Sequence, residues 1–431
     1  MFPFIEIIKL VLQTMVNSLA YGFLIPIFIV LLLVIRQYKK QMSMEINIFG
    51  ISITRPFKQT ITSLGYGLIG GILGSIILVF VGVDLNSAGI LFVWPVALLL
   101  LLYSPRYMCF SYAGGIVGVL VLFVRGLLHI FPVESVPSAL NTFVNINLPG
   151  LMAVVGILHL VESILIYLSG AKGATPVFVK FGDQFVGGYS LMRFWPVPIV
   201  VLIAMTFLPD ELSTTTIAMP DWWPLIKANI TVPQGYQLIY TTLPVMAALG
   251  YSDIAISTHP REKSNKAALK LALYSVMLII LAVGAAYFPH FTFLPVLFAP
   301  LAHEFFIVTS INKELAGEPL FVAPDEGVKV LAVLPNSVAK KMGIEPGYII
   351  TRVNGTFVEG EQHFKELLVD ISTYVKFEVI DNNGRHRHVQ APLFGKRKEL
   401  GLIVIPKNPE LGVVIKGDSP LEKLWKKITG R

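Results

Sequence analysis

Charge is scarce in this chain. Only 14% of its 431 residues are Asp, Glu, Lys or Arg, 54% are hydrophobic, and the mean hydropathy is +0.70. So few charges could not cover that much apolar surface in water, which excludes a soluble multidomain protein and puts most of the chain in a membrane. Cysteine is nearly absent. Cys109 stands alone, so an intramolecular disulfide is excluded and a thiolate metal cluster is not expected. The sequence also lacks a glycine-rich phosphate cradle, a nucleophile elbow and an H-E-x-x-H motif, so neither an enzyme nor a cofactor is expected. His303-Glu304 begins that last motif, but Ile307 stands where the second imidazole would be needed, which disfavours an intramembrane zinc protease. The N-terminus does not read as a cleavable signal: its apolar stretch runs too long, Glu6 and Lys9 cancel, and no small-x-small site follows.

What the chain has in abundance is long apolar runs. They fall at 15–35, 62–83, 88–103, 108–130, 148–169, 194–209, 236–251, 268–288 and 291–308, most of them close to the ~20 residues a helix needs to cross the hydrocarbon. The sixth and seventh carry Pro196, Pro198 and Pro244 and could instead form one re-entrant or interfacial unit. Lys and Arg collect in alternate loops: Arg36, Lys39, Lys40, Arg55 and Lys58, then Arg106, then Lys172, Lys180 and Arg193, then Arg261, Lys263, Lys266 and Lys270. The intervening loops hold mainly Asp84, Glu134, Asp210, Glu211 and Asp221. Cytoplasmic loops carry the positive excess, so the C-terminal region is expected on the cytoplasmic side, and dropping the sixth and seventh spans together leaves that unchanged. The net charge of +7 fits loops beside anionic lipid, and no nucleic-acid partner is expected.

Within the spans, Ser63, Gly67, Gly71 and Ser75 recur every four residues, with Gly70 and Gly74 beside them; Gly114 and Gly118 repeat the pattern. Such ridges let backbones approach closely; packing within one subunit is the expectation, with a dimer seam, and so an oligomer, as the alternative. His159 and Glu162 lie three apart in one span and are expected to satisfy each other, with a proton or ion relay, which would need further partners at depth, as the alternative.

Residues 327–355, GVKVLAVLPNSVAKKMGIEPGYIITRVNG, read differently. Val328, Val330 and Ala332 alternate as in a strand. Pro335-Asn336-Ser337 breaks it, Ser337 or Asn336 caps a short helix, and Gly343 ends that helix in a left-handed conformation. Pro346-Gly347 turns the chain, a second strand follows to Val353, and Asn354-Gly355 makes a tight turn. A helix over 361–371, strands over 374–380 and 385–390, and a short run at 399–405 come after.

This order resembles the PDZ domain in its bacterial form, met at Pro335, Ser337, Ala339, Gly343-Ile344, Gly347, Ile350 and Val353-Asn354-Gly355, with Val338 and Tyr348 departing from the usual proline and aspartate. The expected fold class is therefore a polytopic α-helical membrane bundle followed by a small α/β, partly open β-barrel domain of the PDZ type. The expected division is a transmembrane domain of about seven to nine helices over 1–312, a linker over 313–324, the PDZ module over 325–406 and a basic tail over 407–431. In that tail, Ser419-Pro420-Leu421-Glu422 opens a short amphipathic helix. The resemblance implies binding of an extended peptide along a sheet edge. Leu400, Gly401 and Leu402 look like the carboxylate-binding loop, Ile403 and Val404 like the edge strand, and His363 and Leu367 like the facing helix wall. The rival edge strand is 319–323, and the protein's own tail is an alternative occupant of the groove.

The chain as a whole resembles the MinJ family of multi-spanning membrane proteins of Gram-positive bacteria. Val161 to Tyr167, Ser169-Gly170-Ala171-Lys172, Thr175-Pro176, Glu304-Phe305-Phe306, Glu318-Pro319 and Glu399-Leu400-Gly401 carry the resemblance. It implies a cell-division scaffold at septa and poles that bridges a DivIVA-type polar protein and the MinD-type division inhibitor. A transporter or sensor with a regulatory PDZ domain is the alternative.

Overall fold

The computed structural model describes residues 2–20, 24–131, 135–209, 216–369, 373–393, 400–407 and 413–414. The first part contains helices α1 (Phe4–Ala20), α2 (Leu24–Phe49), α3 (Pro56–Val81), α4 (Ile90–Tyr103), α5 (Phe110–Ile130), the short α6 (Ser138–Val144) and α7 (Leu148–Ser169). Strands β1 (Thr175–Phe181), β2 (Gln184–Phe207) and β3 (Gln237–Ala255) follow, then α8 (Pro260–Tyr287) and α9 (Phe293–Ala316). Among the described residues five helices are long and apolar enough to cross a membrane: α3, α5, α7, α8 and α9, the last with the turn before it. Helix α7 is the central one. Its most apolar window is 72% buried within the protein, against 28–44% for the other four. The main core gathers side chains of α3, α5, α7, α8, α9 and β2 around it.

The sixth and seventh apolar stretches are not membrane-spanning helices. They form most of a long antiparallel hairpin, β2 with β3, in register from Tyr189–Ala255 to Phe207–Gln237. The first expected span, 15–35, also differs: it covers the end of α1 and the first half of α2, with 21–23 outside the described residues. Apolar content alone does not separate a two-sided buried strand from a helix. The prolines carry the distinction. β1 pairs with β2 only as far as Ser190, so beyond it the β2 edge needs other partners. Phe194 donates its amide to the Tyr38 hydroxyl at 3.3 Å, Val200 to Ser75 Oγ at 2.8 Å and Ala204 to Asp84 Oδ1 at 2.9 Å, while Leu202 O accepts the Leu85 amide at 2.9 Å. Pro196 and Pro198 occupy the two remaining places in this alternation, where a proline has no donor to leave unpaired. Pro244 faces Val200 across the ladder, on the outer edge of β3 for the same reason.

The small-residue ridge of α3 meets this strand as well as a helix. A Cβ on Gly67 or Gly71 would stand 1.9 Å from the carbonyl oxygen of Pro196 or Pro198, so only glycine admits the strand there. Gly70 and Gly74 receive Val161 and Leu165 of α7. On α5, Gly114 faces Val155 of α7, and Gly118 faces Val296 of α9.

The second part contains β4 (Phe321–Val322), β5 (Val328–Val333), α10 (Val338–Lys341), β6 (Ile349–Val353), β7 (Thr356–Phe357), α11 (Glu361–Val369), β8 (Tyr374–Ile380), β9 (His386–Pro392), β10 (Leu402–Val404) and β11 (Val413–Val414). Its sheet runs β10-β5-β6-β8-β9, with β7 on β6. Val328, Val330, Ile344, Ile350, Phe364 and Phe377 lie in its own core. The segment expected as a linker is structured: α9 continues to Ala316, and β4 pairs with β2 through Val186–Val322 and Gly187–Phe321. Leu331, Ile403 and Ile405 pack with Phe178 and Phe321 and with Ile48 and Phe49 near the end of α2, so this small domain is docked on the first part. The expected tail helix lies outside the described residues, whereas β11 pairs in parallel with β1.

Candidate functional site

The C-terminal sheet ends in β10, which pairs antiparallel with β5 through Leu402–Val333, Ile403–Ala332 and Val404–Val330. The rival segment, β4, pairs with β2 instead. Of the two candidate strands, it is therefore 402–404 that lies at the edge of this sheet. Several turn residues build the edge. Ser337 caps α10, its Oγ accepting the Lys340 amide at 3.2 Å. Gly343 follows α10 with φ +75°. The turn glycine Gly347 has φ +97°, and Asn354 and Gly355 have φ 48° and 89°. Pro335 precedes Asn336, whose φ is 62°.

The loop into β10 is fixed from two sides. Ala339 donates its amide to Leu400 O at 3.1 Å, and Leu334 donates to Gly401 O at 2.8 Å. Gly401 has φ +67°, and a Cβ there would stand 2.3 Å from Ser337 Cβ, so glycine is required twice over. Side chains alternate along β10: Leu402 and Val404 join the domain core, while Ile403 turns to the docking face. Leu367 of α11 is half-buried against the same core as Leu402. His363 is half-exposed, and its Nδ1 accepts the Glu359 amide at 3.4 Å. The structure thus puts Leu367 and Leu402 on one core, and His363 on the outer turn of α11.

The intramembrane pair arranges itself otherwise than expected. His159 does not spend a ring nitrogen on Glu162. Its Nδ1 lies 2.7 Å from Val155 O, which can only accept, so Nδ1 donates there and Nε2 is left for another partner. His159 Nε2 lies 3.1 Å from Cys109 Sγ. His303 Nε2 approaches the same sulfur at 3.9 Å. The three donor atoms lie within 4.8 Å of one another. Glu304 faces away, held by Arg106 at 2.8 Å and by the Tyr112 hydroxyl at 2.5 Å. Cys109, His159 and His303 each stand out in the sequence for a separate reason, but nothing there joins them. They stand before α5, on α7 and on α9, and no local spacing records a meeting of three segments.

Fold and sites together define a multi-spanning membrane protein with a docked, β-rich C-terminal domain. Over 353 residues the chain is 26% identical to the cell division topological determinant MinJ of Bacillus subtilis (strain 168), covering 81% of this chain and 84% of that protein. No family model matches the chain.

Proposed function

We propose that this protein is a non-enzymatic membrane scaffold in cell-division site selection. The observation that carries the reading is the similarity to the division determinant MinJ, which extends over 81% of this chain and 84% of that protein. In this reading the C-terminal domain is of the PDZ type and lies on the cytoplasmic side. Lys172, Lys180, Arg193, Arg261, Lys263 and Lys266 support that side, because two spanning helices, α8 and α9, return the chain from that basic segment to the C-terminal domain. A partner peptide adds to the β10 edge, its carboxylate received near Leu400-Gly401-Leu402 and its side chains placed against Leu367 and His363. The bound partners are a DivIVA-type polar protein and a MinD-type ATPase, which the scaffold bridges at septa and poles.

A fluorescent fusion of the full chain tests the reading. Collection at septa and poles, lost with Gly401→Val while membrane insertion is retained, is the expected result. A uniform membrane distribution of the unaltered protein would overturn it.

A further inference from the structure

We propose that Cys109, His159 and His303 form a transition-metal site of the Zn2+ class inside the helical bundle. One thiolate and two imidazoles are the donor set of borderline-soft metals. The spacing fits. With bonds of about 2.3 Å to sulfur and about 2.0 Å to nitrogen, a tetrahedral site has a sulfur–nitrogen edge of about 3.5 Å. The two observed sulfur–nitrogen separations, 3.1 and 3.9 Å, lie on either side of it.

Each ligand is prepared for the role. Val155 O fixes the His159 tautomer from behind, the usual outer contact of a metal-bound imidazole, and leaves Nε2 free to bind. Cys109 is the N-cap of α5, and its sulfur accepts the Ser111 amide at 3.4 Å, which holds it at the start of the helix facing the two imidazoles. His303 Nε2 has only the 3.9 Å approach to Cys109 Sγ, so without an ion it is poorly served, while its buried Nδ1 has no partner among the described residues and lacks the outer contact that His159 has. The surrounding hydroxyls do not compete. Tyr274 is engaged with Ser111 and Ala299 O, and Tyr112 with Glu304, while their rings pack against the two imidazoles. On binding, the metal takes the sulfur electron pair and the thiol proton leaves to solvent. Three protein ligands leave a fourth position open to water.

The test uses the full chain in nanodiscs, with Zn2+ and Co2+ as probes. One zinc per chain is expected, and the cobalt form should show a sulfur-to-cobalt charge-transfer band. Cys109→Ser should abolish that band. His159→Ala and His303→Ala should each weaken zinc binding by more than the ~10–100-fold that follows loss of an outer partner. Cys109 is the only thiol, so its alkylation gives a readout on the unaltered protein that does not depend on variants folding. Added Zn2+ should slow that alkylation at least about tenfold, since a metal-held thiolate is not free to attack. No zinc uptake, or an alkylation rate indifferent to zinc, would overturn the site.

Discussion

Ser75 Oγ accepts the Val200 amide at 2.8 Å and donates its own proton to Gly71 O at 2.6 Å. One hydroxyl on α3 thus closes a gap in the outer edge of β2. Ser75→Ala should leave the Val200 amide buried without a partner, at about 1–3 kcal/mol. Gly71→Ala should cost more, because its Cβ would meet the Pro198 carbonyl at 1.9 Å, with no flexible side chain to yield. Thermal unfolding of the two variants in detergent checks both the losses and their order.

Lys263 is held between two carboxylates, 3.1 Å from Glu314 and 3.6 Å from Asp253, with its own side chain only 4% exposed. Glu314 in turn accepts the amides of Ile256, Ser257 and Thr258. The cluster ties α8, α9 and the end of β3 together. Lys263→Met should leave its partners without their cation and destabilise the protein by about 3–5 kcal/mol. The midpoint of thermal unfolding should fall accordingly.

Gly401→Ala is a milder change than the valine used for localisation, yet it meets both a positive φ and the Ser337 side chain. The loop must shift, and α10 with it, because Ala339 bonds to Leu400 O. Amide exchange should rise over 333–343 and 400–405, with the helices of the first part unchanged. Equal protection in both proteins would show that the loop does not need glycine.

Asp381 organises the β8–β9 turn: its Oδ1 accepts the amides of Asn383 at 2.9 Å and Arg385 at 3.0 Å, and Oδ2 lies 3.1 Å from Arg387 Nε. The Arg385 amide is the chief cause that holds this carboxyl below its usual pKa. A depressed folded-state pKa stabilises above the unfolded value of about 3.9 and ceases to do so as pH falls through the folded value. The 374–392 hairpin should therefore open more readily as pH drops below that region. Asp381→Asn should remove this pH dependence. Exchange rates of the hairpin amides, corrected for their intrinsic pH dependence, check it.

The readable parts of the sequence were those written in short-range residue chemistry. Alternation at Val328, Val330 and Ala332 marked a strand, and Asn354-Gly355 and Gly343 marked positions of positive φ. The hairpin was harder, because a strand buried on both faces has the hydropathy of a membrane helix. Pro196 and Pro198 looked like helix breakers, and only the positions of Tyr38, Ser75 and Asp84 reveal them as edge residues. For the Cys109 cluster the obstacle was distance along the chain. A search for ligands one helical turn apart finds His303-Glu304 and stops at Ile307, while the neighbouring imidazole lies on another helix.

The small domain is bonded to the first part at both its entrance and its exit. β4 joins it to β2 on the way in, and β11 joins β1 on the way out. It is therefore not a lure on a leash. Force applied by a captured partner would load two ladders of the same sheet and arrive at the hairpin lodged beside α3. Tension at the domain surface would thus be felt among the helices, where a flexible tether would have dissipated it.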